Sequence, residues 1–179
     1  NWLSSPGNDS LKDRYRQWST HKNSSFDVAT TIPHFYKVYD TYKLKKDYET
    51  NNNVNYDLVI KMRPDLLFVN YINKEIRPNT VYHNNFGPQG WYWPNRIYDI
   101  FFYGDNNSLD IILKSWEDLE SLLNDSFDNG CGKMDACKNF YLQAIRNNIS
   151  VESINHRICE VYRNEENVEE YIKMIKQFD

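Results

Sequence analysis

Apolar residues recur at helical spacing through Ile32, Phe35, Tyr36, Val38, Tyr39, Tyr42 and Leu44, which predicts an amphipathic helix over roughly Thr31 to Thr50. Pro33 falls in its first turn, where a missing N–H is harmless. Lys43, Lys45, Lys46, Asp47 and Glu49 form the wet side, and Asn51-Asn52-Asn53 ends it. Tyr56 to Ile60 then reads as a buried, β-branched strand. It breaks at Arg63-Pro64-Asp65, because proline cannot donate to a central ladder. Leu66 to Val69 continues extended, Thr80 to His83 is a short strand, and Arg96 to Tyr103 is a second apolar strand. Ser108 to Leu123 and Met134 to Asn147 are amphipathic helices. Ile149 to Tyr162 is an extended segment or hairpin, and a charged helix spans 164–179. Residues 1–25 read as an irregular surface segment with a short helical patch. This alternation predicts one α/β domain over 1–179, with a mainly parallel central sheet flanked by helices.

Composition narrows the picture. The chain has 179 residues, enough for one domain with a core, and its 14 tyrosines and five tryptophans supply large bodies with polar tips. A net charge of −4, with both signs interspersed, argues against a nucleic-acid footprint. Three cysteines imply no closed disulfide framework, and a reducing, cytoplasmic setting is the expectation. No apolar run reaches membrane-spanning length and no signal peptide is visible. The chain opens at Asn1 rather than a methionine, which suits a fragment. The many asparagines are read as the imprint of an AT-rich coding sequence.

Several residues carry candidate chemistry. Asp65 emerges at the carboxyl end of a strand, the edge where open α/β sheets bind ligands. It suits Mg²⁺ or Mn²⁺, which prefer oxygen donors; alternatively it caps a turn or pairs with Arg63. Arg63 matches a phosphate through its planar fork, or else pairs with Asp57 or Asp65. Asp99 lies inside an apolar run, where a carboxylate needs a reason: a cleft that presents it to a sugar hydroxyl, or a buried arginine. Asp135 opens a helix, where the dipole favours it whether or not it is catalytic. His156 is either a metal ligand or a satisfied polar residue. The loop Gly87 to Trp93, with Trp91 and Trp93, offers faces for stacking a sugar or base, or else plugs the core. Dinucleotide, Walker, nucleophile-elbow and zinc-type spacings are all absent.

Tyr56-Asp57-Leu58-Val59-Ile60-Lys61-Met62-Arg63-Pro64-Asp65-Leu66, followed by Asp99-Ile100-Phe101-Phe102-Tyr103-Gly104 and a helix containing Trp116, resembles the small GT-A-like glycosyltransferases of large DNA viruses and bacterial surface-polysaccharide loci. The resemblance runs from about Thr31 to Arg163. It implies a GT-A-like fold; nothing before Thr31 reads as the opening nucleotide-binding strand, so that strand is either missing upstream or left as a remainder in 1–25. It further implies transfer of a sugar from a nucleoside-diphosphate donor to a hydroxyl on a glycan or glycoprotein, in the host cytoplasm if the chain is viral. Such enzymes bind a divalent metal (Mn²⁺ or Mg²⁺) and the donor through an Asp-x-Asp motif. Asp65 matches the motif's last aspartate, while Arg63 stands where the first belongs and implies a metal-independent alternative. Asp99 matches a cleft aspartate, Asp135 an acid near the acceptor, and His156 a late metal-binding histidine. A non-catalytic carbohydrate-binding or scaffold domain of the same fold is the alternative.

Overall fold

The computed structural model describes residues 28–68, 70–72, 75–84, 95–128, 135–154 and 158–161. The first helix, α1 (Val28–Asn52), is longer than its periodic stretch, with Pro33 inside its opening turns. Its end is set by Asn53, which takes the left-handed conformation at φ 50. The Val54 N–H reaches back to the Glu49 carbonyl at 3.0 Å, and this six-to-one closure caps the last turn. Ile149 N–H repeats it onto Ala144 at 2.9 Å, behind Asn148 at φ 56. Asn79 and Asn95 also sit at positive φ, so part of the asparagine excess has a conformational use.

The strands are β1 (Val59–Met62), β2 (Leu66–Phe68), β3 (Thr80–Asn84), β4 (Phe101–Gly104), β5 (Ser150–Ile154) and β6 (Cys159–Val161). Four of them form a sheet in the order β1-β4-β3-β5. Both β1/β4 and β4/β3 pair antiparallel, and only β3/β5 is parallel. The chain is therefore α/β with a mixed sheet, which corrects the expectation of a mainly parallel one. β1 is also an edge strand rather than a buried central one. Ile60 and Met62 are exposed, whereas every residue of β3 and β4 is buried. A short apolar run cannot by itself say whether both of its faces are covered. The segment 149–162 is no hairpin either: β5 joins the main sheet, and β6 pairs with β2 in a separate two-stranded sheet.

The helices α2 (Asn106–Leu113), α3 (Leu119–Asp128) and α4 (Ala136–Arg146) join α1 in packing on the sheet. The expected single helix over 108–123 is broken by a 3₁₀ turn at Lys114–Trp116. The Ser115 hydroxyl donates to the Ile112 carbonyl at 2.5 Å, a local bond that competes with the helical ladder. Ile32, Phe35, Val38, Val81, Phe102, Leu109, Ile112 and Phe140 form the core on the helix side. Tyr82, Phe101, Tyr103 and Ile158 form a second core, with Leu66 of β2 and Cys159 of β6 packed into it. Alternation along β4 sends Phe102 to one layer and its neighbours Phe101 and Tyr103 to the other. Gly104 ends β4 because a Cβ there would stand 2.6 Å from the Thr80 carbonyl oxygen. No helix among the described residues is long and apolar enough to cross a membrane.

Candidate functional site

Period-two alternation places Val59, Lys61 and Arg63 on one side of β1, beneath α1. The last rung of the ladder is Arg63 N–H to the Ile100 carbonyl, at 3.1 Å. Pro64 ends the pairing, the chain turns, and Leu66 starts β2 in the other sheet. Arg63 and Asp65 thus leave the sheet together, next to the turn at Asp99-Ile100 that leads into β4.

Around this corner lies a polar cluster. The Asp99 carboxylate is 3.6 Å from His34 Nε2 of α1, and the Cys137 thiol donates to its Oδ1 at 3.4 Å. The Asp99 N–H points at Cys137 Sγ, 3.5 Å away. Lys61 Nζ sits 5.5 Å from the Phe102 ring centre, is shut off from water, and has no hydrogen-bond partner among the described residues. Burial pushes the Lys61 ammonium below the ordinary lysine value, opposed by the Asp99 charge. Burial first, and then the charge of Lys61, lower His34 as well, while Asp99 pulls it up. Burial raises the Cys137 thiol well above its usual value, and the Asp99 charge adds to this, so it is no nucleophile at neutral pH. The cluster borders a cavity of about 450 Å³ between α1 and β1, lined by His34, Lys37, Val38, Tyr42, Lys61 and Arg63 among others.

The structure brings Asp99, Arg63 and Asp65 to one corner, and it shows what the Asp65 and Asp135 carboxylates hold. Asp65, taken as a metal ligand, has both carboxylate oxygens engaged by Arg63: Nε to Oδ1 at 2.8 Å and Nη2 to Oδ2 at 2.6 Å. A bidentate pair of this kind takes one lone pair on each oxygen and offsets the charge that would draw a cation. No three His, Cys, Asp or Glu side chains gather to hold a metal among the described residues. Of the ligands expected for Mn²⁺ or Mg²⁺, the described residues thus hold Asp65 alone, already paired with Arg63. Asp135, taken as catalytic, is buried and caps α4, accepting from the Lys138 N–H at 3.3 Å and pairing with Arg96. Its oxygens serve the helix end and Arg96. His156, Trp91 and Trp93 lie outside the described residues, as do residues 1–25 and the helix expected over 164–179.

Two residues of the cluster went unread in the sequence. Lys61 had a signal: it is a charge on the same side of the strand as Val59, where burial is expected. His34 had a weaker one, its helical register with Val38 and Tyr42. A second histidine, His83, is buried in β3. His83 Nδ1 accepts the Tyr98 N–H at 3.3 Å, so Nε2 carries the proton and donates to Ser153 Oγ, also 3.3 Å away. Burial lowers His83 to about 4, so it stays neutral, and its Nε2 proton leaves no lone pair toward that hydroxyl.

Compared with known protein families, curated proteins and solved structures, the chain matches none.

Proposed function

We propose that the chain is a glycosyltransferase moving a sugar from a nucleoside-diphosphate donor to a hydroxyl acceptor. The departing diphosphate is met by side-chain cations, with no step assigned to a metal ion. The observation that carries this reading is the corner where Asp99, His34, Arg63 and Lys61 meet beside a cavity of about 450 Å³, a size that suits a small-molecule ligand. Asp99 is the one carboxylate there that no arginine or helix end engages; a histidine and a thiol face it instead. In the transfer, the bond from the sugar carbon to the diphosphate oxygen breaks as the acceptor oxygen bonds to that carbon. Asp99 takes the acceptor proton, and Lys61 and Arg63 offset the charge growing on the leaving group.

The second reading, a carbohydrate-binding or scaffold domain without turnover, draws on the closed Arg63–Asp65 pair. One experiment separates the two. Release of nucleoside diphosphate from a panel of UDP- and GDP-sugars, assayed with an acceptor in EDTA, falls 10²-fold or more in Asp99→Asn if that carboxylate is the base, taking about 10²–10⁴ as the usual worth of such a group. Glycan binding with no turnover in EDTA, or with Mn²⁺ added, leaves the scaffold.

A further inference from the structure

The cavity between α1 and β1 has two unlike ends. His34, Lys37, Lys61 and Arg63 line one end, where the start of α1 faces the end of β1. Val38, Tyr42, Val59 and Leu113 line the other, and the lysine there, Lys45, is already held by Asp110 at 2.7 Å and Glu49 at 3.1 Å. At the charged end, Arg63 is half-neutralised by Asp65 and Lys37 is exposed, but Lys61 has nothing to donate to among the described residues. The groups facing its ammonium are Arg63 from β1, His34 from α1, Asp99 from the turn before β4 and Cys137 from α4. Of these only Asp99 is anionic, and its carboxylate is shared with His34 and Cys137. A buried ammonium with no partner among the described residues, on a side chain that lines the cavity, calls for an anion, and the apolar far wall calls for a body attached to it.

We infer that this cavity binds a diphosphate ester with an apolar or planar body, the diphosphate on Lys61, Arg63 and Lys37 and the body against Val38, Tyr42 and Leu113, without a metal ion. The same chemistry is found in nucleoside diphosphates and in isoprenyl diphosphates. The inference deepens the transfer reading by naming what holds the leaving group, and rests on that reading only for which ester is the donor. Charge neutralisation at Lys61 draws a proton onto any fraction of that amine left neutral by burial, so binding at mildly alkaline pH takes up protons.

The test is calorimetric titration of the whole chain in EDTA with inorganic pyrophosphate, UDP, GDP and farnesyl diphosphate. The variants are Lys61→Met, which keeps the bulk of the side chain, and Thr41→Trp, which narrows the apolar end from an exposed position. The wild type is expected to bind one class of ester more tightly than pyrophosphate, with an enthalpy that changes with the ionisation heat of the buffer. Lys61→Met weakens every probe at least tenfold and abolishes the buffer dependence, without lowering the thermal midpoint. Thr41→Trp weakens the esters and spares pyrophosphate. Nucleotides binding and farnesyl diphosphate failing, or the reverse, assigns the ester. Absence of binding in EDTA, or Lys61→Met binding like the wild type, overturns the inference. Binding with no sugar turnover keeps this inference and sinks the transfer reading. Turnover indifferent to Lys61→Met overturns this inference and takes Lys61 out of the transfer step, leaving that step to Asp99 and Arg63.

Discussion

The two ends of α1 handle buried charge in opposite ways. At its carboxyl end Lys45 and Lys46 meet Glu49 and Asp110 in four contacts of 2.6 to 3.1 Å, and Asn106 adds a bond to Glu49 at 2.9 Å. Two acids and two bases pair there and tie α1 to α2, with Glu49 Oε2 met by Lys46 as an ion pair and Asn106 Oδ1 left without a hydrogen-bond partner among the described residues. At its amino end Lys61 is buried without a hydrogen-bond partner among the described residues, and His34 stands 3.6 Å from a carboxylate also engaged by a thiol. Desolvating an ion is costly in both places, but only the first recovers that cost within the chain. The closed network ties two helices together; the open one is where we place the anion.

The comparison is broken most directly at the closed end. Glu49→Ala removes the acid shared by Lys45, Lys46 and Asn106 and leaves both lysines on Asp110 alone, and the expected loss is about 3 kcal/mol, the upper end of about 1.5–3 for hydrogen bonds to a charged group. Urea titration of the variant against wild type measures it. The pH dependence follows. Burial pushes Glu49 upward, but hydrogen bonds from Lys46, Lys45 and Asn106 outweigh it and hold the carboxyl at about 2, below its ordinary 4.5. A carboxyl depressed in the folded state stabilises above its unfolded pKa. That contribution is lost as pH falls from about 4.5 through about 2. Glu49→Ala should flatten the acid limb in that window.

Gly104 lies between the two regions, where β4 feeds α2. A Cβ would meet the Thr80 carbonyl oxygen at 2.6 Å and Leu109 Cδ2 at 2.7 Å, so a backbone group as well as a side chain must yield. Gly104→Ala should cost about 2 kcal/mol, in the range of about 1–3 for overpacking, again by urea titration.

Lys61→Met sharpens the contrast by having the opposite sign. Removing an ammonium with no partner among the described residues should raise stability at neutral pH by about 1 kcal/mol, since apolar replacement of buried charge is often neutral or favourable. Because the folded lysine sits below its ordinary 10.5, the unfolded chain binds more protons in the alkaline range, and wild-type stability climbs with pH there. Thermal melts of wild type and variant should converge as pH rises. Melts that run parallel would place a partner on Lys61.

What was legible in the sequence follows the same division. Helical periodicity located α1 and α4 within a few residues, because a wide apolar stripe at 3.6-residue spacing is the mark of a helix with one buried face. Pro64 marked the end of β1, and Asp99 was flagged as a carboxylate needing a reason. Strand direction and neighbours were not legible. Val59-Ile60-Lys61-Met62 reads alike as a central strand or as an edge strand with Ile60 and Met62 in water. The fate of each acid was equally hidden. Asp65, Asp99 and Asp135 are the same residue in three surroundings, met by an arginine fork, by a histidine and a thiol, and by a helix terminus with an arginine. Only the fold decides which of them keeps capacity for a substrate.

The smallest expected effect concerns the asparagines that close the helices. Asn53 and Asn148 hold positive φ at the ends of α1 and α4, where the chain must turn left-handed for Val54 and Ile149 to reach back five residues. Asparagine tolerates that region better than other side chains but less well than glycine, which regains the difference only by losing more entropy on folding. The balance favours Asn53→Gly by a few tenths of a kcal/mol, while Asn53→Ala loses about 1 kcal/mol for a Cβ in the left-handed region. Asn148 should repeat both signs, because the constraint is the backbone closure and not a neighbour of either helix. Equal effects of glycine and alanine at either position, measured in the same urea series, would mean that the left-handed turn does not set the helix end.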